Sequence, residues 1–419
     1  MKPPSSFMGI IKKKETYVKF NSKKSKKCVI MQQILKEEIN IMKNGIIKKI
    51  SILILFGIII VLNNVNVEAK QRIKPIRIKE IKQDIDGKEV YIKCGIKDCA
   101  ENQNDKFSEK ACSGGADLRN IYSKTKKGKW KTLKQLNFKN MQGGCINGNK
   151  MIIAFVDKER HKKGDLTAFV EIDLEENKVI KVTMVQGAKD LNINTFGHSN
   201  DFTCLNGNYY GSWYQKNGKK NYTSKMGKIN TDLSDTGTIG DFSKNKKGKA
   251  AFGVASYLQD NQLALGIRES VNEGKKTRLE RYVSICNVRI KEDGTARYKL
   301  NKKLFKLKKN AKFSTHQCME QFNKKFYLVR FNKIKGKNNN CIEVINEKGK
   351  KEKQFIIKNP AKITVYGEKG KKKTTKFKKV NWEIESLSHY KGNTFYYTMY
   401  KPSNKAKGKQ AYLYKVNLK

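Results

Sequence analysis

The sequence predicts an all-β ring of four-stranded blades, a β-propeller, and three observations predict it. A polar cluster, a tight turn and an aromatic strand recur five times. Pairs of strands follow these units with no helical periodicity between them. Phe, Tyr and Gly number 19, 18 and 31 against only five Pro, a balance that suits short strands joined by tight turns.

The two clearest repeats run from Met141 through Asn147-Gly148-Asn149 into Lys150–Phe155, and from His198 through Asn206-Gly207-Asn208 into Tyr209–Trp213. Three looser ones pass through Phe252–Asn261, His316–Lys325 and Glu383–Asn393. With Asn147, Asn206, Gln259, Asn323 and Lys391 as one turn position, the spacings are 59, 53, 64 and 68 residues, the period of a four-stranded blade. Asn-Gly is the chemistry of a two-residue hairpin turn, where both central residues need positive φ. Second hairpins are predicted at 169–174 with 178–185, 283–290 with 296–300, and 341–345 with 353–357. The last repeat has three clear strands, ending at 411–418, so a closing strand is expected from Ile73 to Ile81. Residues 85–137 are expected to add one more blade. Six blades at roughly 58 residues each is then the favoured arrangement, with five and seven as alternatives.

The region 70–419 resembles secreted bacterial β-propellers as a broad class. No WD dipeptide, Kelch double glycine or Asp-box recurs in it.

In front of this region, residues 42–69 have the three parts of a secretory signal. Lys43, Lys48 and Lys49 precede an apolar run of 13 residues, Ile50–Leu62, and Val67-Glu68-Ala69 offers small residues at a cleavage site. Thirteen residues fall short of the roughly 20 that a spanning helix needs, so membrane association is expected only if this segment stays uncleaved. Residues 1–41 are Lys-rich and lack a periodic apolar pattern. They are read as disordered or as an over-long start before a true Met42. Secretion or surface attachment follows as the expected location.

The whole chain carries a formal charge of +52, leaving about +43 for 70–419. Export directs such charge away from nucleic acid and towards anionic cell-wall polymers or glycans. A monomer is expected. Eight of the nine cysteines lie beyond the signal. Cys94, Cys99 and Cys112 stand close enough in sequence for a local disulfide, while the other five sit singly in apolar strands as small hydrophobes. No CxxC pair, GxSxG elbow, P-loop or HExxH occurs, so zinc-knuckle, serine-hydrolase, nucleotide and zincin chemistry lack support.

The innermost strand of each propeller blade lines the axis, so the clusters before the turns should converge at one rim. They supply the candidate ligand-binding residues Gln142, His198, Asn200, Asp201, His316, Gln317, Glu383 and Glu385. Asn200, Asp201 and Glu385 are hard oxygen ligands, and calcium is the cofactor they suit. His198 with His316 is a weaker zinc pair, because the two sit at different offsets from the turn. Asp201 with Glu385 would be the carboxylate pair of a glycan hydrolase. The favoured function is a non-catalytic surface recognition module for glycan or wall polymer. The alternative is a metal-dependent extracellular hydrolase or lactonase using the same pocket.

Overall fold

The computed structural model describes residues 70–73, 75–92, 116–157, 167–185, 198–217, 221–233, 236–241, 249–257, 262–273, 276–292, 296–307, 315–331, 340–357, 362–366, 372–376, 383–401 and 410–419. Residues 1–69, including the segment read from sequence as a secretory signal, and the trio Cys94, Cys99 and Cys112 lie outside them. No helix among the described residues is long and apolar enough to cross a membrane.

The chain begins with β1 (Lys70–Ile73) and β2 (Ile76–Arg77), then the hairpin of β3 (Ile81–Ile85) and β4 (Lys88–Ile92). A short 3₁₀ turn at Leu118–Asn120 leads into a small hairpin of β5 (Tyr122–Lys124) and β6 (Trp130–Thr132). Blade one is β7 (Phe138–Asn147), β8 (Lys150–Asp157), β9 (Thr167–Asp173) and β10 (Lys178–Val185). Blade two is β11 (His198–Leu205), β12 (Asn208–Asn217), β13 (Asn221–Ile229) and β14 (Thr236–Asp241). Blade three is β15 (Lys249–Tyr257), β16 (Gln262–Glu273), β17 (Lys276–Ile290) and β18 (Ala296–Lys306). Blade four is β19 (Thr315–Phe322), β20 (Lys325–Phe331), β21 (Cys341–Asn346) and β22 (Lys351–Ile357). A hairpin, β23 (Lys362–Tyr366) and β24 (Lys372–Lys376), precedes blade five, which is β25 (Glu383–His389), β26 (Thr394–Lys401) and β27 (Gln410–Asn417).

Each blade is an antiparallel meander, and β7, β11, β15, β19 and β25 neighbour one another in a closed cycle round the axis. The ring therefore has five blades, the lower alternative rather than six. Residues 85–137 do not make a blade in the described region, because their strands are too short and too polar to cover two faces. Instead β3 joins the outer edge of blade one in parallel beside β10, with β4 outside it. The Gln83 side chain bridges to the β5 backbone, donating to Tyr122 O and accepting from Tyr122 N, each at 2.8 Å.

Closure by an N-terminal strand is present and short. Ile76 and Arg77 of β2 pair with Lys415 and Tyr414 of β27, supplying the fourth strand of blade five. β1 adds in parallel to β22 of blade four, a pairing the sequence did not suggest. Two further ties fasten blade five to blade one. The Tyr400 hydroxyl donates to Asn140 Oδ1 at 2.9 Å, and Ser388 Oγ donates to Gly144 O at 3.3 Å.

Strand alternation sends neighbouring residues to opposite interfaces, and this is how one sheet fills two cores. Tyr209 packs with Phe169 and Phe202 towards blade one, whereas Tyr210 packs with Leu263 and Tyr282 towards blade three. Val283, Phe305, Phe326 and Leu328 fill the seam between blades three and four, and Phe355, Tyr397 and Tyr414 that between four and five. Phe155, Val170, Tyr396 and Leu413 occupy the seam that closes the ring. Cys145, Cys204, Cys286, Cys318 and Cys341 are unpaired thiols in these strands, as small hydrophobes should be.

The turns obey the expected backbone chemistry, with one shift of register. Asn206 and Gly207 both have positive φ, at 49° and 74°, and Asn323 and Lys324 repeat that form at 49° and 56°. In blade one, however, β7 continues through Asn147 and the turn falls on Gly148-Asn149, one residue later than the sequence alignment places it. Gln142, rather than Met141, is thus the counterpart of Asn200 and Gln317.

Candidate functional site

A β-bulge interrupts every innermost strand near its start. The pairing register slips between Met141 and Gly144 in β7, Ser199 and Asp201 in β11, Ala251 and Gly253 in β15, His316 and Met319 in β19, and Ile384 and Ser386 in β25. A bulge leaves a residue unpaired and re-aims its side chain and amide. The residues so displaced include Gln142, Asn200, Phe252, Gln317 and Glu385. Four of these five are polar, and all four are among the candidates named from sequence.

The strands approach closely here. A Cβ on Gly143 would stand 2.7 Å from Asp201 Cα, and one on Gly253 would stand 2.9 Å from Met319 Cβ, so only glycine fits at either place.

Asp201 is the hub of this level. It is 1% exposed, and its Oδ2 accepts the backbone N–H of Val254 at 3.2 Å and of Met319 at 3.0 Å, joining blade two to blades three and four. Burial pushes its carboxyl well up, outweighing the amides of Met319, Val254 and Phe202, which pull it down. A neutral carboxyl still presents a carbonyl oxygen with two lone pairs, enough for both amides. Asp201 is therefore a brace. Its Oδ2 is committed to amides rather than turned to the cation expected from Asn200, Asp201 and Glu385, or to a reacting sugar.

Glu320 is bound in the same way. It accepts from the backbone N–H of Gln321 at 2.7 Å and of His389 at 3.1 Å, and burial raises its pKa to about 7. Glu385 is buried at its bulge, and desolvation with the neighbouring Glu383 charge holds its carboxyl well above the usual range. Gln317 Nε2 donates to Glu383 Oε2 at 3.3 Å, so blades four and five are tied at the level of the bulges. Cys318 lies among Asp201, Glu385 and Glu320, and burial with these three carboxyls drives its thiol pKa well up.

His316 is buried. Its Nε2 is 2.8 Å from Arg330 Nε, and its ring stacks on Phe252 with centroids 4.7 Å apart. His198 and Asn200 lie at the start of β11 by backbone position, and their side chains are outside the described residues. Among the described residues no three His, Cys, Asp or Glu gather as metal ligands. The structure thus brings Gln317, Glu383 and Glu385 to one rim with Asp201 beneath, and sets His316 to the side.

Sequence reasoning missed Phe252, Glu320 and a group of arginines beside His316. Arg268 and Arg281 lie on second and third strands, where repeat alignment gives no cue. A separate cleft of about 600 Å³ opens on the outer edge of blade one beside Gln83, Tyr122, Trp130, Asp173 and Lys178, and no candidate residue lines it.

Fold and site define a five-bladed β-propeller whose innermost strands each carry a bulge, four of them at a polar residue. No family model matches the chain, and no curated protein sequence matches it. Among solved structures it is similar to a GH43_1 enzyme from Xanthomonas citri complexed with xylose, at 8% identity and a TM-score of 0.42, covering 70% of this chain and 90% of that one. It is also similar to the RS223 β-xylosidase, at 13% identity and a TM-score of 0.41 over 68% of this chain and 94% of that one. A protein of unknown function from Dyadobacter fermentans gives 6% identity and a TM-score of 0.37, covering 67% and 96%. These likenesses carry no residue correspondence to this chain.

Proposed function

We propose that the ring of bulges is the floor of a carbohydrate-binding mouth, and that the protein is an exported, monomeric recognition module for glycan or anionic wall polymer. The observation that carries this reading is the equivalence of the five bulges. They set amides at Gln142 and Gln317, and a carboxyl at Glu385, at matching places round one axis, with Asn200 at the same backbone position of β11. Amides and carboxyls both donate to and accept from sugar hydroxyls, and a mouth of mixed polar groups fixes orientation without chemistry. Recognition is favoured over hydrolysis because Asp201 and Glu320 are consumed by backbone amides. The charge of residues 70–419 adds long-range attraction to an acidic polymer.

A hydrolytic second reading has one observation in its favour. Glu385, whose carboxyl burial and the Glu383 charge hold well above the usual range, is the kind of carboxyl that donates a proton to a leaving group. The test is an array of neutral and acidic oligosaccharides probed with residues 70–419, followed by analysis of the bound sugar. Retention of an intact ligand, weakened about tenfold by Gln317→Ala, supports recognition. Steady release of shorter sugars, abolished by Glu385→Gln, supports hydrolysis instead.

A further inference from the structure

Beside the mouth, in the seam between blades three and four, positive charge is gathered in a way that ordinary strand pairing avoids. Arg268 of β16 stands directly opposite Arg281 of β17 in register, and like charges at such positions repel. The acids next to them, Glu269 and Glu280, form the neighbouring cross-strand pair and by alternation face the other way. Both have partners there: Glu269 accepts from the Tyr282 hydroxyl at 2.7 Å, and Glu280 pairs with Arg278, Lys303 and Lys306. From blade four, Arg330 sits opposite His316 and is buried. Its ion pair, at 3.2 Å, ends on Glu343, which Lys351 shares at 3.6 Å.

His316 supplies the second observation. An arginine can only donate, so His316 Nε2 accepts from Arg330 and the ring proton must sit on Nδ1. That Nδ1–H is buried in a residue only 4% exposed, and it has no partner among the described residues. A buried donor without an acceptor is costly, and here it lies beside guanidinium groups, where an anion would satisfy it. Arg268 and Arg281 are half-buried, so the group remains open to solvent on one side.

We propose that Arg268, Arg281, Arg330 and His316 form a binding site for an oxyanion, a carboxylate, sulfate or phosphate, at the rim between blades three and four. Electrostatics agree with the geometry. Burial, then Arg268 and Arg330, lowers the pKa of Arg281, and burial with all three arginines keeps His316 neutral. A doubly hydrogen-bonded oxyanion across two guanidinium forks is the geometry arginine favours over lysine. The site deepens the carbohydrate reading in one respect, since it rests on that reading for its natural source, an acidic sugar substituent. Its anion affinity does not depend on that source.

The experiment titrates residues 70–419 with inorganic sulfate at constant ionic strength set by chloride, and follows the His316 Nδ1–H resonance and the melting temperature. Saturable movement of that resonance, with a rise in melting temperature, is the expected result. Arg268→Gln with Arg281→Gln should lower sulfate affinity at least tenfold, with an unchanged far-UV circular dichroism spectrum. Lys299→Gln, which removes an exposed charge on β18, should leave the affinity unchanged. Equal sulfate responses in the double variant and the parent, or a static His316 resonance, would overturn the site. Glucuronate, glucose 6-sulfate, glucose 6-phosphate and glucose then separate the sources. Binding of inorganic sulfate but of none of the acidic sugars would leave the anion site standing and remove an acidic sugar as its source.

Discussion

Replacing Asp201 with Ala removes the acceptor of two buried amides, those of Val254 and Met319, on two different blades. Each donor left unsatisfied costs about 1 to 3 kcal/mol, so the variant should lose about 4 kcal/mol. Asp201→Asn keeps a carbonyl oxygen in place of Oδ2 and should lose only about 1 kcal/mol, because the neutral side chain accepts both bonds. Guanidinium chloride unfolding of residues 70–419 measures this. With a slope of roughly 5 kcal/mol/M, the Ala variant should unfold about 0.8 M earlier and the Asn variant about 0.2 M earlier, at unchanged slope. Equal midpoints for Ala and the parent would refute the brace, and so would an Asn variant as weak as Ala, since the account requires the oxygen and not the charge.

Stability should also depend on pH. Glu320 keeps its proton to about pH 7 when folded but releases it near its ordinary value of 4.5 when unfolded. Between these values the unfolded state binds fewer protons, so raising the pH favours unfolding, by at most about 3 kcal/mol over the window. Stability measured from pH 4 to 8 should fall through this range, and Glu320→Gln should flatten that part of the curve. Gly143→Ala forces a Cβ against Asp201 Cα and should cost about 1 to 3 kcal/mol in the same unfolding assay, whereas Gly87→Ala, at an exposed turn with open space and positive φ, should cost about 1 kcal/mol. Gln142→Ala should weaken binding of the best array ligand about tenfold by calorimetry without a change in melting temperature greater than a few degrees.

Local chemistry was legible where it was carried by neighbouring residues. Asn206-Gly207 announces its turn, and the alternation through Tyr209 and Tyr210 announces a strand with two buried faces. The first repeat misled by one residue because Asn147-Gly148-Asn149 offers two overlapping turns, and the chain uses the second. Six blades were favoured over the five observed because 85–137 contains strand-forming residues, yet the strands described there run only three to five residues. Bulges leave no mark in the sequence, since one extra residue in a pairing is a property of two strands together. For that reason the polar clusters could be named while the role of Asp201 could not. The arginine group was hidden for another reason: Arg268, Arg281 and Arg330 come from three strands of two blades and are lost among 90 basic residues.

The central claim is that the mouth holds a sugar without cutting it. The most direct measurement is calorimetric titration of residues 70–419 with the strongest array ligand, with the recovered ligand analysed by mass after prolonged incubation. The account predicts stoichiometric binding, weakened about tenfold by Gln317→Ala, and a ligand recovered at its original mass. Recovery of cleaved sugar, or binding unaffected by both Gln142→Ala and Gln317→Ala, would contradict it.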